Sequence, residues 1–320
     1  MFSTRSVHSL APTAPPFHNI LDEEIADGDA SHDTIKTYTK QFKLFVSWCA
    51  ERKIELIELA ENHVKEYRRY LVSKKLKPTT IALKLTVIRR IFEIAVERGL
   101  MATNPAAKVK PPKLIHDPAD NNNYLELEEA QKLVDFLPKG NSMVELRDRL
   151  LVLLMVRIGC RQIGLYRLNV GDIIRKKDRV GLRVTAKGRV RVVPLTPDVA
   201  KILEKYLEAR RANDERLTKD TPMFISVSRN SARQRLTRRS MQTIVNDCLE
   251  KASLKHSETR TVTSHGLRHT VGYLLTQAGK SLRVVQEALG HADPRTTAIY
   301  AHIVNLWNDN PFDSIAISSA

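Results

Sequence analysis

Apolar residues recur at spacings of three and four between residues 31 and 99, which is the pattern of amphipathic helices. The pattern predicts one helix from Ser31, a second over residues 61–73, and a third from Pro78 to a stop signal at Gly99. The third has the most regular apolar stripe, which consists of Ile81, Leu85, Ile88, Phe92 and Ala95. We therefore expect a helical domain over residues 31–110.

Two segments without a sustained period flank this domain. Residues 1–30 combine Pro, Ser and Thr with an acidic patch, a composition that predicts a flexible N-terminal arm. Residues 111–123 contain Pro111, Pro112, Pro118 and three consecutive Asn, which predicts an extended linker. The domain boundary is expected within that linker.

The hydrophobic pattern resumes after the linker and predicts a second domain over residues 124–303. Its predicted helices cover residues 126–137, 146–158, 197–211, 236–252 and 265–279, with a short one from about residue 294 to residue 300. Residues 181–186 and the alternating Arg and Val of residues 189–195 predict a β-hairpin with Lys187 at or near its turn. The expected fold class is mostly α with a small β-hairpin or sheet, so the second domain is α+β.

The charge of the chain points to a phosphate-rich partner. Lys and Arg number 52 against 36 Asp and Glu, and the net charge of +16 at pH 7 is typical of a protein that binds a nucleic-acid backbone. A basic surface without such a partner is the alternative. The basic residues that lie off the apolar stripes or crowd a helix start are candidates for DNA binding, and they are Lys84, Arg89, Arg90, Arg229, Arg233, Arg235, Arg238 and Arg239.

Cysteine usage and hydropathy narrow the class of protein further. Cys49, Cys160 and Cys248 are far apart and odd in number, which predicts a reduced, cytoplasmic protein without a disulfide framework. No apolar run approaches the roughly 18 residues of a membrane helix, and residues 1–17 lack the apolar centre of a signal peptide. We therefore expect no membrane partner, and the absence of a Walker loop or zinc-finger spacing predicts no cofactor.

The last long helix and the turns after it concentrate groups that could carry chemistry. His265 and Arg268 stand three residues apart and share a helix face, His291 follows a Gly, and Tyr300 comes nine residues later. Far upstream, Arg161 directly follows a buried helix, where its charge needs an anionic partner. Each residue alone has an ordinary structural explanation, as a cap, a turn residue, an apolar anchor or an internal ion pair.

Taken together, these groups suit attack on a phosphodiester. A phenol has a pKa of about 10, so Tyr300 needs cations and a proton acceptor to act as a nucleophile, and His265 can be that acceptor. The guanidinium groups of Arg161 and Arg268 can bind the non-bridging oxygens, where negative charge develops. His291 can donate a hydrogen bond to one of the same oxygens.

The leaving sugar oxygen needs a proton, because an alkoxide is a poor leaving group. Lys187 on a hairpin is suited to supply it, although a lone hairpin Lys is usually a solubilising residue. This scheme takes its cations from the protein and requires no metal. A metal hydrolase using His265, His269 and His291 is a more distant alternative, since those spacings match no ligand motif.

In this order the residues resemble the tyrosine recombinase, or phage integrase, family over residues 31–303. The matching motifs are Gly159-Cys-Arg161, Lys187-Gly with Arg191-Val-Val-Pro-Leu195, His265-Gly-Leu-Arg268-His-Thr, Leu289-Gly-His291 and Tyr300. The resemblance implies a SAM-like core-binding domain and a catalytic domain that form a C-shaped clamp on DNA. Residues 304–320 would be a C-terminal tail that docks on a neighbouring protomer, or else a segment packed on its own domain.

The resemblance also implies an activity, namely site-specific DNA recombination of the Xer type in integration, excision or dimer resolution. Strands would be cleaved through a 3′-phosphotyrosine with release of a 5′-hydroxyl. The implied catalytic set is Arg161, Lys187, His265, Arg268, His291 and the nucleophile Tyr300. The implied partners are double-stranded DNA with specific recombination sites and a homotetramer or heterotetramer assembled on two paired sites.

Two related functions stay open on the sequence alone, a nicking-closing enzyme like a type IB topoisomerase and a non-catalytic DNA-binding protein on the same fold. One position departs from the family pattern. Gly164 stands three residues after Arg161, where many family members carry an acidic residue, and this leaves the orientation of the Arg161 side chain open. The segment between Lys187 and Arg191 is also short.

Overall fold

The computed structural model describes residues 32–113 and 123–300, apart from Lys187, Gly188, Thr259, Ala292 and Ile299. The chain divides into two compact units, Met1–His116 and Asp117–Ala320. The predicted arm, most of the predicted linker and the predicted tail lie outside the described residues. Within the described part of the chain, no helix is long and apolar enough to cross a membrane.

The first unit contains the three predicted helices, α1 (His32–Glu51), α2 (Glu61–Ser73) and α3 (Pro78–Glu97). Pro78 occupies the first turn of α3, where its missing N–H would have had no intrahelical partner. The predicted α3 stripe is buried throughout, which confirms the helical period. It packs in the core of this unit.

Aromatic side chains hold α1 against the other two helices. The Phe45 ring meets Tyr67 edge-on, with ring centroids 4.9 Å apart, and Phe92 at 6.2 Å. Trp48 meets the same Tyr67 ring at 5.0 Å. Edge-to-face pairs of this kind contribute about 0.5–1.5 kcal/mol each beyond the area they bury, so the three helices form one core.

The second unit is mostly helical, as predicted. Its helices are α4 (Leu127–Asp135), α5 (Met143–Val156), α6 (Gln162–Arg167), α7 (Pro197–Arg211), α8 (Arg238–Lys251), α9 (Ser264–Gln277), α10 (Leu282–Leu289) and α11 (Arg295–Ala298). Helix α5 is the centre of the core, because its residues from Leu150 to Val156 are all buried. Helices α6 and α10 have no counterpart among the predicted elements.

A three-stranded antiparallel sheet, β1 (Ile173–Lys176), β2 (Arg179–Ala186) and β3 (Arg189–Pro194), completes this unit in the order β1-β2-β3. The β2-β3 hairpin confirms the prediction, and β1 is an additional strand. Val184 is paired with Arg191 in the register. Because cross-strand partners project from the same face, Arg191 shares the face of the buried Val184.

Candidate active site

Four described residues of the predicted site converge on the C-terminal end of α10. Arg161 reaches it from the turn between α5 and α6, a turn made by Gly159 at φ +72°. Arg268 reaches it from the buried side of α9. His291 follows the end of α10, and Tyr300 follows α11. Chain segments more than a hundred residues apart therefore meet at one helix terminus.

The last carbonyls of helix α10 accept hydrogen bonds from arginine side chains and not from the backbone cap. Gly290, at φ +63°, is the left-handed cap residue, and the N–H groups of Gly290 and His291 donate to the carbonyls of Glu287 and Gln286. Among the described residues, the next three carbonyls, those of Ala288, Leu289 and Gly290, accept no backbone hydrogen bond. We call these three the α10 terminal carbonyls.

Each of the α10 terminal carbonyls accepts a hydrogen bond from a different guanidinium group. Arg191 donates to the Ala288 carbonyl at 2.6 Å, Arg268 to Leu289 at 2.5 Å and Arg161 to Gly290 at 3.4 Å. Arg268 also donates to the Gly159 carbonyl at 2.6 Å. A helix C-terminus carries a partial negative charge, so this arrangement holds three cations without consuming a carboxylate.

The three arginines form a cluster of positive charge. Among the described residues, none of Arg161, Arg191 and Arg268 has a carboxylate in ion-pair contact. Arg268 is only 2% exposed, and burial together with the charges of Arg161 and Arg191 lowers its pKa to about 9. Buried, unpaired charge is costly, so the cluster favours binding of an anion.

Tyr300 lies against this cluster with its ring fully packed. It is 1% exposed, and its ring lies parallel to that of His291, with centroids 6.3 Å apart. Gly272 of α9 makes room for it, since a Cβ at that position would overlap the Tyr300 ring. Burial raises the pKa of Tyr300 to about 12, although Arg268 and Arg161 act in the opposite direction. The phenol is therefore protonated in this state.

The hydroxyl of Tyr300 is hydrogen-bonded to His269, a residue that the sequence analysis did not place among the catalytic residues. The distance from His269 Nδ1 to Tyr300 Oη is 2.8 Å. Burial, with smaller contributions from His265 and Arg268, lowers the pKa of His269 to about 4, so the ring is neutral at pH 7 and Nδ1 can accept the phenol proton. The exposed His265 ring lies one turn away, 4.7 Å from the His269 ring.

Family models match both parts of the chain. The model of the phage integrase family matches residues 123–305, more than half of the chain, and the phage integrase SAM-like domain matches residues 16–111. The chain belongs to the phage integrase family. The resemblance that the motifs predict is thereby confirmed, and the mostly helical fold class with it.

Curated relatives of this integrase match nearly its full length. It is 28% identical over 305 residues to a tyrosine recombinase XerC of Leptospira interrogans, which covers 94% of this chain and 92% of the relative. It is 29% identical over 284 residues to a tyrosine recombinase XerD of Vibrio vulnificus, with coverage of 88% and 89%. The match therefore includes both units.

Solved structures show the same fold. A XerH site-specific recombinase in a post-cleavage complex with a palindromic difH substrate has a TM-score of 0.72 and 20% identity, covering 93% of this chain and 83% of that one. A lambda integrase dimer bound to a COC′ core site has a TM-score of 0.66 and 16% identity, with coverage of 90% and 95%. Neither likeness depends on close sequence similarity.

The packing of α6 gives a physical reason for the glycine at position 164, where the resemblance implied an acidic residue. A Cβ on Gly164 would lie 2.6 Å from Val184 Cγ1, and Val184 is a buried residue of β2. Any side chain at this position therefore requires Val184 to shift. Arg161 is held instead by the Gly290 carbonyl, the weakest of the three arginine contacts at 3.4 Å.

We expect Gly164→Ala to destabilise the integrase by about 1–3 kcal/mol through overpacking, although Ala is the better helix former. Urea denaturation of the wild type and the variant measures the change in the free energy of unfolding. In a Val184→Ala background the added methyl has space, so the double variant should lose less stability than the two single variants together. Strictly additive losses would contradict this account of the glycine.

His291 is oriented by a hydroxyl of α11. Its Nδ1 lies 2.7 Å from Thr297 Oγ1, and Thr297 is itself buried. Burial, then the charges of Arg268 and Arg161, lower the pKa of His291 to about 4. This contact occupies Nδ1, so Nε2 is the ring nitrogen left for another partner.

A cavity of about 720 Å³ opens beside the cluster. Arg161, Arg191 and His291 line it together with apolar residues of the β2-β3 hairpin and polar residues of α10 and α11. Cavities with an apolar wall and few convergent charges are typical ligand sites. Lys187, the predicted general acid, lies outside the described residues.

The predicted DNA-binding residues of the first unit differ in their surroundings. Lys84 is buried and donates to Gln41 Oε1 at 2.7 Å, and Arg89 donates to the carbonyls of Ala106 and Val109. Arg90 is exposed and pairs with carboxylates of its own helix. Contact of these three with DNA stays a prediction.

The candidates of the second unit are similarly divided. Arg235 donates to the carbonyls of Tyr166 and Leu168, and Arg233 to those of two loop residues. Arg238 and Arg239 are exposed at the start of α8, and the Arg229 side chain is not described. DNA binding by this group also stays a prediction.

The described residues do not support the metal hydrolase alternative. In the part of the chain that the structure describes, no three His, Cys, Asp or Glu residues are arranged to hold a metal ion. His269 is instead occupied by Tyr300, and His291 by Thr297.

Proposed function

We propose that the chain is a site-specific DNA recombinase that cleaves and rejoins strands through a 3′-phosphotyrosine. The observation that carries the proposal is the position of Tyr300 beside Arg161 and Arg268, in a cluster of three arginines that has no carboxylate in ion-pair contact among the described residues. Such a site suits a phosphodiester anion and a phenolic nucleophile. Relatives named tyrosine recombinase, matched over nearly the whole chain, support the same function.

In this proposal the scissile phosphate lies against Arg161 and Arg268, and His291 donates a hydrogen bond to it. Each arginine uses only part of its donor set on backbone carbonyls, so N–H groups remain for phosphate oxygens. Because the carbonyls fix the guanidinium planes before DNA binds, little reorganisation accompanies phosphate binding. His265, exposed on the same helix as Arg268, is a further group for the phosphate.

Attack forms a bond between Tyr300 Oη and phosphorus and breaks the bond from phosphorus to the 5′-oxygen. His269 has a pKa of about 4 and Tyr300 one of about 12, so the proton does not transfer at rest. The phenol oxygen becomes more acidic as its bond to phosphorus forms, so its proton transfers during attack to His269 Nδ1, its hydrogen-bond partner. Lys187 protonates the departing 5′-oxygen. Reversal by another strand's 5′-hydroxyl rejoins the DNA.

Recombination requires more than one copy of the chain, and we propose a homotetramer or heterotetramer on two paired sites. The structural relatives include a recombinase described with its DNA substrate and a dimer on a core site. Each protomer would contribute one tyrosine and exchange one strand.

The function is tested with duplexes selected for binding from a random pool. A selected duplex with a nick near the cleavage position should trap a covalent complex that resists denaturant, since the released strand end diffuses away. Two selected sites on one plasmid should yield recombinants and a four-way junction intermediate. Relaxation of plasmids that lack a site, without recombinants, would identify a topoisomerase instead, and binding without covalent trapping would identify a non-catalytic protein.

A further inference from the structure

Arg191 belongs to the arginine cluster although the predicted site did not include it. It lies on β3, on the face that it shares with the buried Val184, and its side chain is partly buried. Its guanidinium donates to the Ala288 carbonyl at 2.6 Å, beside the carbonyls that hold Arg268 and Arg161. The three guanidinium groups thus share one backbone anchor.

The side chain of Arg191 packs directly against the backbone of Gly290. A Cβ on Gly290 would lie 2.7 Å from Arg191 Cδ, 2.8 Å from Nε and 3.0 Å from Cζ. The left-handed backbone at this position already favours glycine, and the approach of Arg191 adds a second reason. The arginine is therefore packed into the helix end, which limits where its guanidinium can lie.

Arg191 borders a cavity as well as the end of α10. Arg191 lines the cavity of about 720 Å³ together with Arg161 and His291. Its described hydrogen bonds use a single N–H, so several donors of the guanidinium are left for a ligand. The carboxylates that also line the cavity are those of Glu287 and Asp293, and Glu287 is paired with Arg283. Among the described residues, Arg191 has no carboxylate in ion-pair contact.

The guanidinium of Arg191 is partly buried and lies near a second positive charge, so a bound anion would stabilise it. Burial lowers the pKa of Arg191, and the nearby Arg161 lowers it further, because each charge repels the other. A bound anion offsets both effects, because an opposite charge nearby favours the charged form of the arginine. Planar guanidinium groups pair with phosphate oxygens through two parallel N–H donors, which makes a phosphodiester the best-matched anion.

We propose that Arg191 is a third guanidinium of the phosphate site and binds a backbone phosphodiester of the DNA in the cavity it shares with Arg161 and His291. This inference rests on the proposed recombinase function. The competing explanation is purely structural, namely that Arg191 serves only to hold the end of α10 through the Ala288 carbonyl.

The experiment compares cleavage by the wild type, Arg191→Ala and Arg191→Lys on nicked duplexes in which one phosphate at a time is replaced by an uncharged methylphosphonate. The replaced positions are the scissile phosphate and its neighbours on both sides. Arg183→Ala is the matched control, because Arg183 is an exposed arginine on β2, paired with Val192 on the opposite face of the same sheet.

On unmodified DNA we expect Arg191→Ala to cleave about 10²-fold more slowly than the wild type, the usual effect of losing one preorganised donor at a developing charge. Arg191→Lys should be intermediate, since it keeps the charge but loses the fork. The ratio of wild-type to variant rates should fall at least tenfold on the methylphosphonate at one position. A fall at the scissile position would show that Arg191 binds the scissile phosphate. A fall at a flanking position would show that Arg191 binds that neighbouring phosphate.

A ratio that is the same at every methylphosphonate position, or no cleavage defect at all, would overturn the inference. Thermal melting separates this outcome from loss of folding, and Arg191→Lys, which keeps the long side chain, provides the ratio if Arg191→Ala does not fold. Covalent trapping by the wild type on unmodified DNA is the reference. Its absence would reject the recombinase function, whereas its presence with a flat ratio rejects the role of Arg191 alone.

Discussion

Tyr300→Phe is expected to abolish the covalent DNA complex and leave DNA binding unchanged. The substitution removes the one oxygen that would bond to phosphorus, so no slower route to the same product remains. The ring, its packing over the Gly272 backbone and its parallel contact with His291 are retained. Gel analysis of end-labelled nicked duplex under denaturing conditions measures the complex, and a mobility shift measures binding.

The stability of Tyr300→Phe should fall only modestly. The variant loses the hydrogen bond between the Tyr300 hydroxyl and His269 Nδ1, and leaves that nitrogen without its partner. This costs about 1–3 kcal/mol when the group is buried, which a folded domain can tolerate. Thermal melting should therefore show a folded protein at the assay temperature.

Tyr166→Phe is the matched control for the nucleophile. Tyr166 lies in the same unit at the end of α6, and its ring packs near Arg235 rather than at the arginine cluster. It should trap DNA as the wild type does. Trapping that persists in Tyr300→Phe and disappears in Tyr166→Phe would show that Tyr166, and not Tyr300, is the nucleophile.

Lys187→Ala is expected to slow cleavage by about 10²–10⁴-fold, the usual contribution of a general acid. The defect should largely vanish on a substrate whose leaving atom is a 5′-sulfur. A thiol has a pKa of about 8.5, against about 15.7 for water, so a thiolate departs without a proton and no longer needs the lysine. Single-turnover rates on the oxygen and sulfur substrates measure the effect.

The control for Lys187 is Lys176→Ala, which removes an exposed lysine at the end of β1 in the same sheet. It should cleave both substrates at the wild-type rate. If Lys187→Ala is impaired equally on oxygen and sulfur, the lysine does not protonate the leaving group and acts in binding instead.

The long elements of the fold could be predicted because their signals are local. Helix α2 has the predicted bounds, and α3 begins at the predicted Pro78 with its whole stripe buried. Strand β1, with four residues, and the short helices α6 and α10 gave no reliable period, because four to eight residues hold too few apolar positions to establish one.

The site shows the same division between local and distant information. Spacing places His265 and His269 on one face of α9, but it does not say which ring contacts Tyr300. The answer is His269, because α9 packs with Gly272 against the tyrosine ring. The sign of the Tyr300 pKa shift is a further example, since the nearby arginines favour the phenolate and burial outweighs them.

The sequence by itself determined the family, the helical character of both units and the set of residue types available for phosphoryl transfer, because motifs and periods lie within short stretches of chain. Only the tertiary structure decided that His269 contacts the Tyr300 hydroxyl, that Val184 crowds any Cβ at position 164, and that Arg191 joins the cluster. Those facts depend on contacts between distant segments at the end of α10. Tertiary packing decides which of these side chains are in contact, and the exclusion of water shifts their pKa values.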